Sequence, residues 1–126
     1  MATVNIAGKD YRLKFDANVL IEIQKRYGEI ALLRDKMQDL SELIWVLMQL
    51  VNEGIFYDNC YHGSSEKEFT NLRAFGTLFS LEQLNSPALA EAIVAAYNED
   101  ALGGKKYTTE ELLDLGQSIL TTNPNP

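Results

Sequence analysis

The chain holds only one cysteine, one histidine and three prolines in 126 residues. A lone cysteine, Cys60, excludes an internal disulfide and suits a reducing compartment. Cations are scarce as well: 11 Lys and Arg stand against 18 Asp and Glu, for a net charge of −7. A protein that tracks a nucleic-acid backbone needs clustered cations to displace counterions, and no cluster is present. The same deficit disfavours docking on anionic lipid. No nucleic-acid or membrane partner is therefore expected. No apolar run approaches the ~18 residues of a spanning helix. Met1 leads straight into an alternating strand, so no signal peptide is expected either. Taken together, these features predict a soluble, cytoplasmic protein.

Apolar residues are plentiful. They make up 46% of the chain, enough for a core, and the 23% of charged residues argues against wholesale disorder. The length suits one domain, expected over residues 1–120, with a loose, polar, proline-bearing tail at 121–126. There is no internal repeat and no low-complexity block. Counted on either side of Gly63, 7 basic and 9 acidic residues precede it and 4 and 9 follow, so the acidity lies mainly in the second half.

The first 28 residues read as strand, turn, strand, helix. Val4 and Ile6 alternate with polar residues, as do Tyr11, Leu13 and Phe15. Gly8-Lys9 suits a two-residue hairpin turn, which would set Ile6 opposite Tyr11 and Val4 opposite Leu13. Asp16 is a good N-cap for a helix over 17–27, with Val19, Leu20, Ile23 and Tyr27 on one stripe. Lys25 and Arg26 suit its last turn and Gly28 its left-handed stop. This helix is expected to cover the hairpin's apolar face.

A short helix is expected over 30–37. Asp39 or Ser41 then caps the strongest helix, where Leu40, Leu43, Ile44, Leu47 and Val51 follow a buried stripe. Gly54 would end it unless Ile55 carries the stripe on to about Cys60. Ser65-x-x-Glu68 has capping-box spacing, opening a helix through Phe79. Leu81 to Asn85 is ambiguous. Ser86-Pro87 starts a helix with Leu89, Ile93, Ala96 and Tyr97 inward. After Gly103-Gly104, Thr108-x-x-Glu111 opens a last helix through Leu120. The fold class expected is α+β, mainly α-helical, with the N-terminal β-hairpin packed on a bundle of about five helices.

Little here carries chemistry. Cys60 and His62 are the one place where thiol and imidazole meet, but zinc needs two further N or S ligands, and a nucleophilic pair needs a third orienting group. The acidic pairs Glu66/Glu68, Glu99/Asp100 and Glu110/Glu111 fall at expected helix ends, where capping and the helix dipole explain them. Gly103-Gly104-Lys105-Lys106 lacks phosphate-loop spacing. No catalytic, metal or cofactor-binding residue is assigned, and a non-enzyme is expected. What stands out is the segment Leu43 to Val51, apolar nearly all round. Such a helix is either central in its domain or half-buried in an interface with another chain. Trp45, Val46, Met48 and Leu50 lie mostly off the stripe. With Leu43, Phe56 and Tyr57 they are the candidate protein-binding residues.

The opening VNIAGKDYRLKFDANVLIEIQKRYG resembles that of tail assembly chaperones of long-tailed bacteriophages and prophages, mostly of Gram-positive hosts. Ile6, Gly8, Lys9, Tyr11, Leu13, Phe15, Asp16, Tyr27, Gly28 and Trp45 match the family's order of hairpin, helix ending in Tyr/Phe-Gly, and apolar helix with Trp. The segment LIWVLMQLVNEGIFYDN is similar to the family's second helix, with its Asn-Glu-Gly. The match covers about the first 60 residues. It implies a cytoplasmic, non-enzymatic factor that coats the tape measure protein until tail tube proteins polymerise around it, and a homo-oligomer is expected. The alternative is a small head-tail or tail adaptor retained in the virion.

Overall fold

The computed structural model describes residues 1–102. The expected helix after Thr108, the Gly103–Lys106 segment, the Glu110/Glu111 pair and the tail at 121–126 lie outside the described residues.

An antiparallel hairpin, β1 (Thr3–Ile6) and β2 (Lys9–Arg12), opens the chain. A mainly helical bundle follows: α1 (Ala17–Tyr27), a 3₁₀ turn (Ile30–Leu32), α2 (Leu33–Lys36), α3 (Leu40–Tyr61), α4 (Leu72–Gly76), α5 (Leu81–Leu84) and α6 (Pro87–Asp100). The expected α+β, mainly helical class with an N-terminal hairpin is therefore what the chain adopts.

The hairpin corrects the expected register. Its turn is Ala7-Gly8, both at positive φ (52° and 88°), so Val4 pairs with Tyr11 and Ile6 with Lys9. Positive φ at both central residues is the backbone of a type I′ turn, whose twist matches the strands. Asn5 favours this register over one turning at Gly8-Lys9. Its Oδ1 accepts from the Gly8 N–H at 3.2 Å, and its amide donates to Asp10 directly across the ladder at 2.9 Å. The slip is two residues, and side chains alternate with period two, so no residue changes face. Ala2, Val4, Ile6, Leu13 and Phe15 are buried together as expected.

Helix α1 starts and stops where its caps predict. Asp16 accepts from the Val19 N–H at 3.3 Å, and Gly28, at φ 84°, donates to the Gln24 carbonyl at 2.8 Å. It does not chiefly cover the hairpin, however. It packs on α3, while β2 lies on α3 and β1 on α6. The all-round apolar character of α3 explains this: it has faces enough for β2, α1 and α4 at once.

Helix α3 runs unbroken through Gly54. Its buried stripe is Leu43, Val46, Leu47, Leu50, Val51, Gly54 and Ile55. That stripe is rotated from the expected one: Leu40 is exposed and Ile44 half-buried, while Val46 and Leu50 face inward. Gly54 is a point of close approach. A Cβ there would meet the Arg12 carbonyl oxygen, so only glycine lets β2 cross the helix at this height. One turn earlier, the Lys14 N–H donates to the Leu50 carbonyl at 3.3 Å.

The Ser65 capping box does not form. The chain after Gly63 forms no regular secondary structure until Asn71 caps α4 by accepting from the Ala74 N–H at 2.9 Å. The backbone groups of Glu66 and Phe69 are instead taken by two asparagines of α3. Asn59 donates to the Glu66 carbonyl (2.9 Å) and accepts from its N–H (3.1 Å). Asn52 does the same with Phe69, at 2.8 Å for both bonds. Seven residues of helix rise about 10.5 Å and three extended residues about 10 Å, so the two clasps keep step. Phe69 packs edge-on against Tyr11 and Phe75. The ambiguous stretch after Phe79 folds as α5, capped by Ser80, and α6 follows with Ser86 as its cap.

Candidate functional site

The seven candidate binding residues of α3 separate by exposure. Val46 and Leu50 are fully buried and Leu43 nearly so; all three contribute to the core shared by the hairpin and helices. Trp45, Met48 and Tyr57 are half-buried, and Phe56 is 49% exposed.

Trp45 is roofed by its neighbours. The Arg26 guanidinium lies over the indole at 4.5 Å, and the Tyr27 ring meets it edge-on at 5.8 Å. Glu42 fixes both, accepting from Arg26 Nε at 2.8 Å and from the Tyr27 hydroxyl at 2.7 Å. Those bonds hold the Glu42 carboxyl below its usual range. Burial, reinforced by Glu42, pushes Tyr27 up to about 12. Glu42 ties Arg26 and Tyr27 together over the indole, so the cluster acts as a brace between the end of α1 and the start of α3.

The far half of α3 is less enclosed. Tyr57 lies under two cations, with Lys14 Nζ 4.4 Å and the Arg12 guanidinium 5.1 Å from its ring centre. Arg12 is held by Asp58 at 2.8 Å and Lys14 by Asp100 at 2.8 Å. Burial alone would lower the Lys14 pKa, but the hydrogen bond and charge of Asp100 outweigh it and raise it. Phe56 and Tyr61 project outward beside this cluster, Tyr61 at 71% exposure.

A groove runs from this aromatic end between α1 and α3. Its near part is lined by Lys14, Asp16, Asn18, Glu53, Phe56 and Tyr61. Asn18 and Glu53 also line the adjoining depression, which Ile21, Glu22, Gln49 and Glu68 complete. Glu53 accepts from the Asn18 amide at 2.8 Å. Burial, and then the adjoining Asp16 carboxylate, push the Glu53 pKa up to about 7.

The chemical candidates are dispersed. Cys60 is exposed, and His62 faces Asp58 at 3.9 Å and lies tilted against Tyr57, ring centres 5.5 Å apart. Glu66 pairs with Lys9, whereas Glu68 faces the groove. Glu99 takes the Met1 ammonium at 3.1 Å, and Asp100 is committed to Lys14 and to the Phe15 N–H at 2.9 Å. Among the described residues, no group of three His, Cys, Asp or Glu is arranged to hold a metal ion, and no helix is long and apolar enough to cross a membrane.

Sequence reasoning missed the groove and both asparagine clasps. One signal for the clasps was available: asparagine is a poor interior helix former, and two of them seven residues apart share a face. The groove left none, because Ile21 and Glu22 sit off the apolar stripe of α1 and read as ordinary surface. Comparison with protein-family models, curated proteins and solved structures finds no match to this chain.

Proposed function

We propose that this protein is a tail assembly chaperone of the long-tailed bacteriophage type. In this reading it is a cytoplasmic, non-enzymatic factor that binds the tape measure protein and holds it until tail tube subunits polymerise around it. The observation that carries the reading is the mutual dependence of the residues behind the resemblance. Gly8 forms the hairpin turn, Asp16 and Gly28 bound α1, Tyr27 braces Trp45, and Gly54 admits the strand that carries Tyr11 and leads into Leu13. Residues that interlock in this way form one unit, which supports reading their order as a family signature.

The physical task is to cover apolar helix while staying soluble and displaceable. A net charge of −7 favours solubility. Many weak sites along one long client give avidity that advancing tube subunits displace one at a time. Phe56, with the accessible edges of Tyr57, Trp45 and Met48, supplies the contact surface within α3, while Leu43, Val46 and Leu50 support it from beneath.

Co-expression with the tape measure protein encoded nearby tests the reading. The expected result is a soluble complex recovered by pull-down. A client equally soluble with and without this protein overturns it. Abundance of the protein in purified virions, measured by mass spectrometry, would point instead to a retained adaptor.

A further inference from the structure

We propose that the groove between α1 and α3 docks an amphipathic helix that carries lysine or arginine on both sides of its apolar stripe. Three observations converge on this occupant. First, apolar side chains stand exposed along both of its parts: Ile21, 48% exposed, lines one depression, Phe56 (49%) and Tyr61 (71%) line the other, and the two adjoin at Asn18 and Glu53. Second, the rim is acidic. Asp16 comes from the turn into α1, Glu22 from α1, Glu53 from α3 and Glu68 from the segment before α4. The cations at hand are already engaged, Lys14 by Asp100 at 2.8 Å and Lys25 by Glu22 at 3.3 Å, so carboxylates remain in excess. Third, α1 and α3 supply most of the lining, and the backbone groups of these two helices are bonded internally. Such walls offer side chains and no strand edge, which selects a helical ligand over an extended one. From Gln49 to Tyr61 the groove spans about 18 Å at helical rise, the length of about three turns of ligand helix.

Glu53 makes the docking pH-dependent. Asp16, Glu22, Glu68, Lys14 and the rings of Tyr57 and Tyr61 surround it, and burial with Asp16 raises its pKa to about 7. An arriving cation favours the carboxylate, so binding releases a proton and tightens as pH rises through about 7. This chemistry suits any basic amphipathic helix and does not require that the client be a tape measure protein.

The test uses the full chain and fluorescein-labelled synthetic helices, read by fluorescence anisotropy. One peptide has a leucine stripe flanked by lysines, a second the same stripe flanked by glutamates, and a third the scrambled lysine sequence. Saturable binding of the first alone is expected, stronger at pH 8 than at pH 6. Phe56→Ser with Tyr61→Ser should weaken it about tenfold, and Glu53→Gln with Glu68→Gln several-fold, with a shallower salt dependence. These side chains lie outside the core, and a thermal midpoint no lower than the wild type's confirms that each variant is folded. Equal binding of the scrambled peptide, or full affinity in both double variants, overturns the inference. Peptide binding together with failure of the co-expression test would refute the tail-assembly reading and leave the groove standing.

Discussion

The carbonyl group of Arg12 rests directly on the backbone of Gly54: a Cβ at Gly54 would lie 1.8 Å from the oxygen and 2.7 Å from the carbon. Helix propensity alone favours alanine there by about 1 kcal/mol. The contact reverses that sign, since both clashing atoms are backbone and cannot rotate away. Gly54→Ala should therefore destabilise the protein by about 4 kcal/mol or more, read as a lower midpoint in urea unfolding. A stable Gly54→Ala variant would show that β2 does not cross α3 at this residue.

Asn52→Ala removes two hydrogen bonds and strands the backbone of Phe69, whose side chain is half-buried. A loss of about 1–3 kcal/mol is expected. Asn59→Ala, at an exposed clasp, should cost less, about 0.5–1.5 kcal/mol. In both variants limited proteolysis between Gly63 and Asn71 should accelerate. Asn52→Asp should be no milder than Asn52→Ala, because a carboxylate cannot donate to the Phe69 carbonyl.

Trp45 is the chain's one tryptophan and so its own probe. Arg26→Ala removes the guanidinium roof and leaves Glu42 with the Tyr27 hydroxyl alone. Its emission should shift to the red and acrylamide quenching should rise, with a stability loss of about 1 kcal/mol. Unchanged quenching would mean that Arg26 does not shield the ring.

Glu53 sets the sign of one pH effect. Its folded pKa, about 7, lies above the ordinary 4.5, so the folded state binds the proton more tightly. Its contribution is complete below about pH 4.5 and is lost as pH rises through about 7. Glu53→Gln removes the ionisation. The variant should match the wild type near pH 4.5 and exceed it at pH 8, by less than about 2 kcal/mol once solvent screening is allowed for. Thermal midpoints at the two pH values provide the check. A variant less stable than the wild type at pH 8 would refute the assignment.

Local signals were the most legible in the sequence. Asp16, Gly28 and Ser86 marked helix ends correctly because capping needs only a few neighbouring residues. Period-two alternation identified the hairpin's inner face even though its turn fell one residue early, since a slip by two preserves the face. Choices decided by distant partners were harder to read. Ser65 and Glu68 had the spacing of a cap, but Asn52 and Asn59 grip that backbone instead. Leu40 and Ile44 fitted a helical stripe as well as Val46 and Leu50 did, and the elements that reach α3 from elsewhere, β2 at Gly54 among them, decide which way it turns. The groove was invisible for the same reason: it exists where α1 meets α3, and neither helix announces it alone.

The pair of asparagine clasps makes this region indifferent to spelling but strict about counting. Each clasp grips main chain, so the residues between Glu66 and Phe69 can change identity at little cost. A single insertion or deletion there, or between Asn52 and Asn59, would put the two grips out of phase, and only one could close. Related chains should therefore keep both intervals constant even where the letters between them differ.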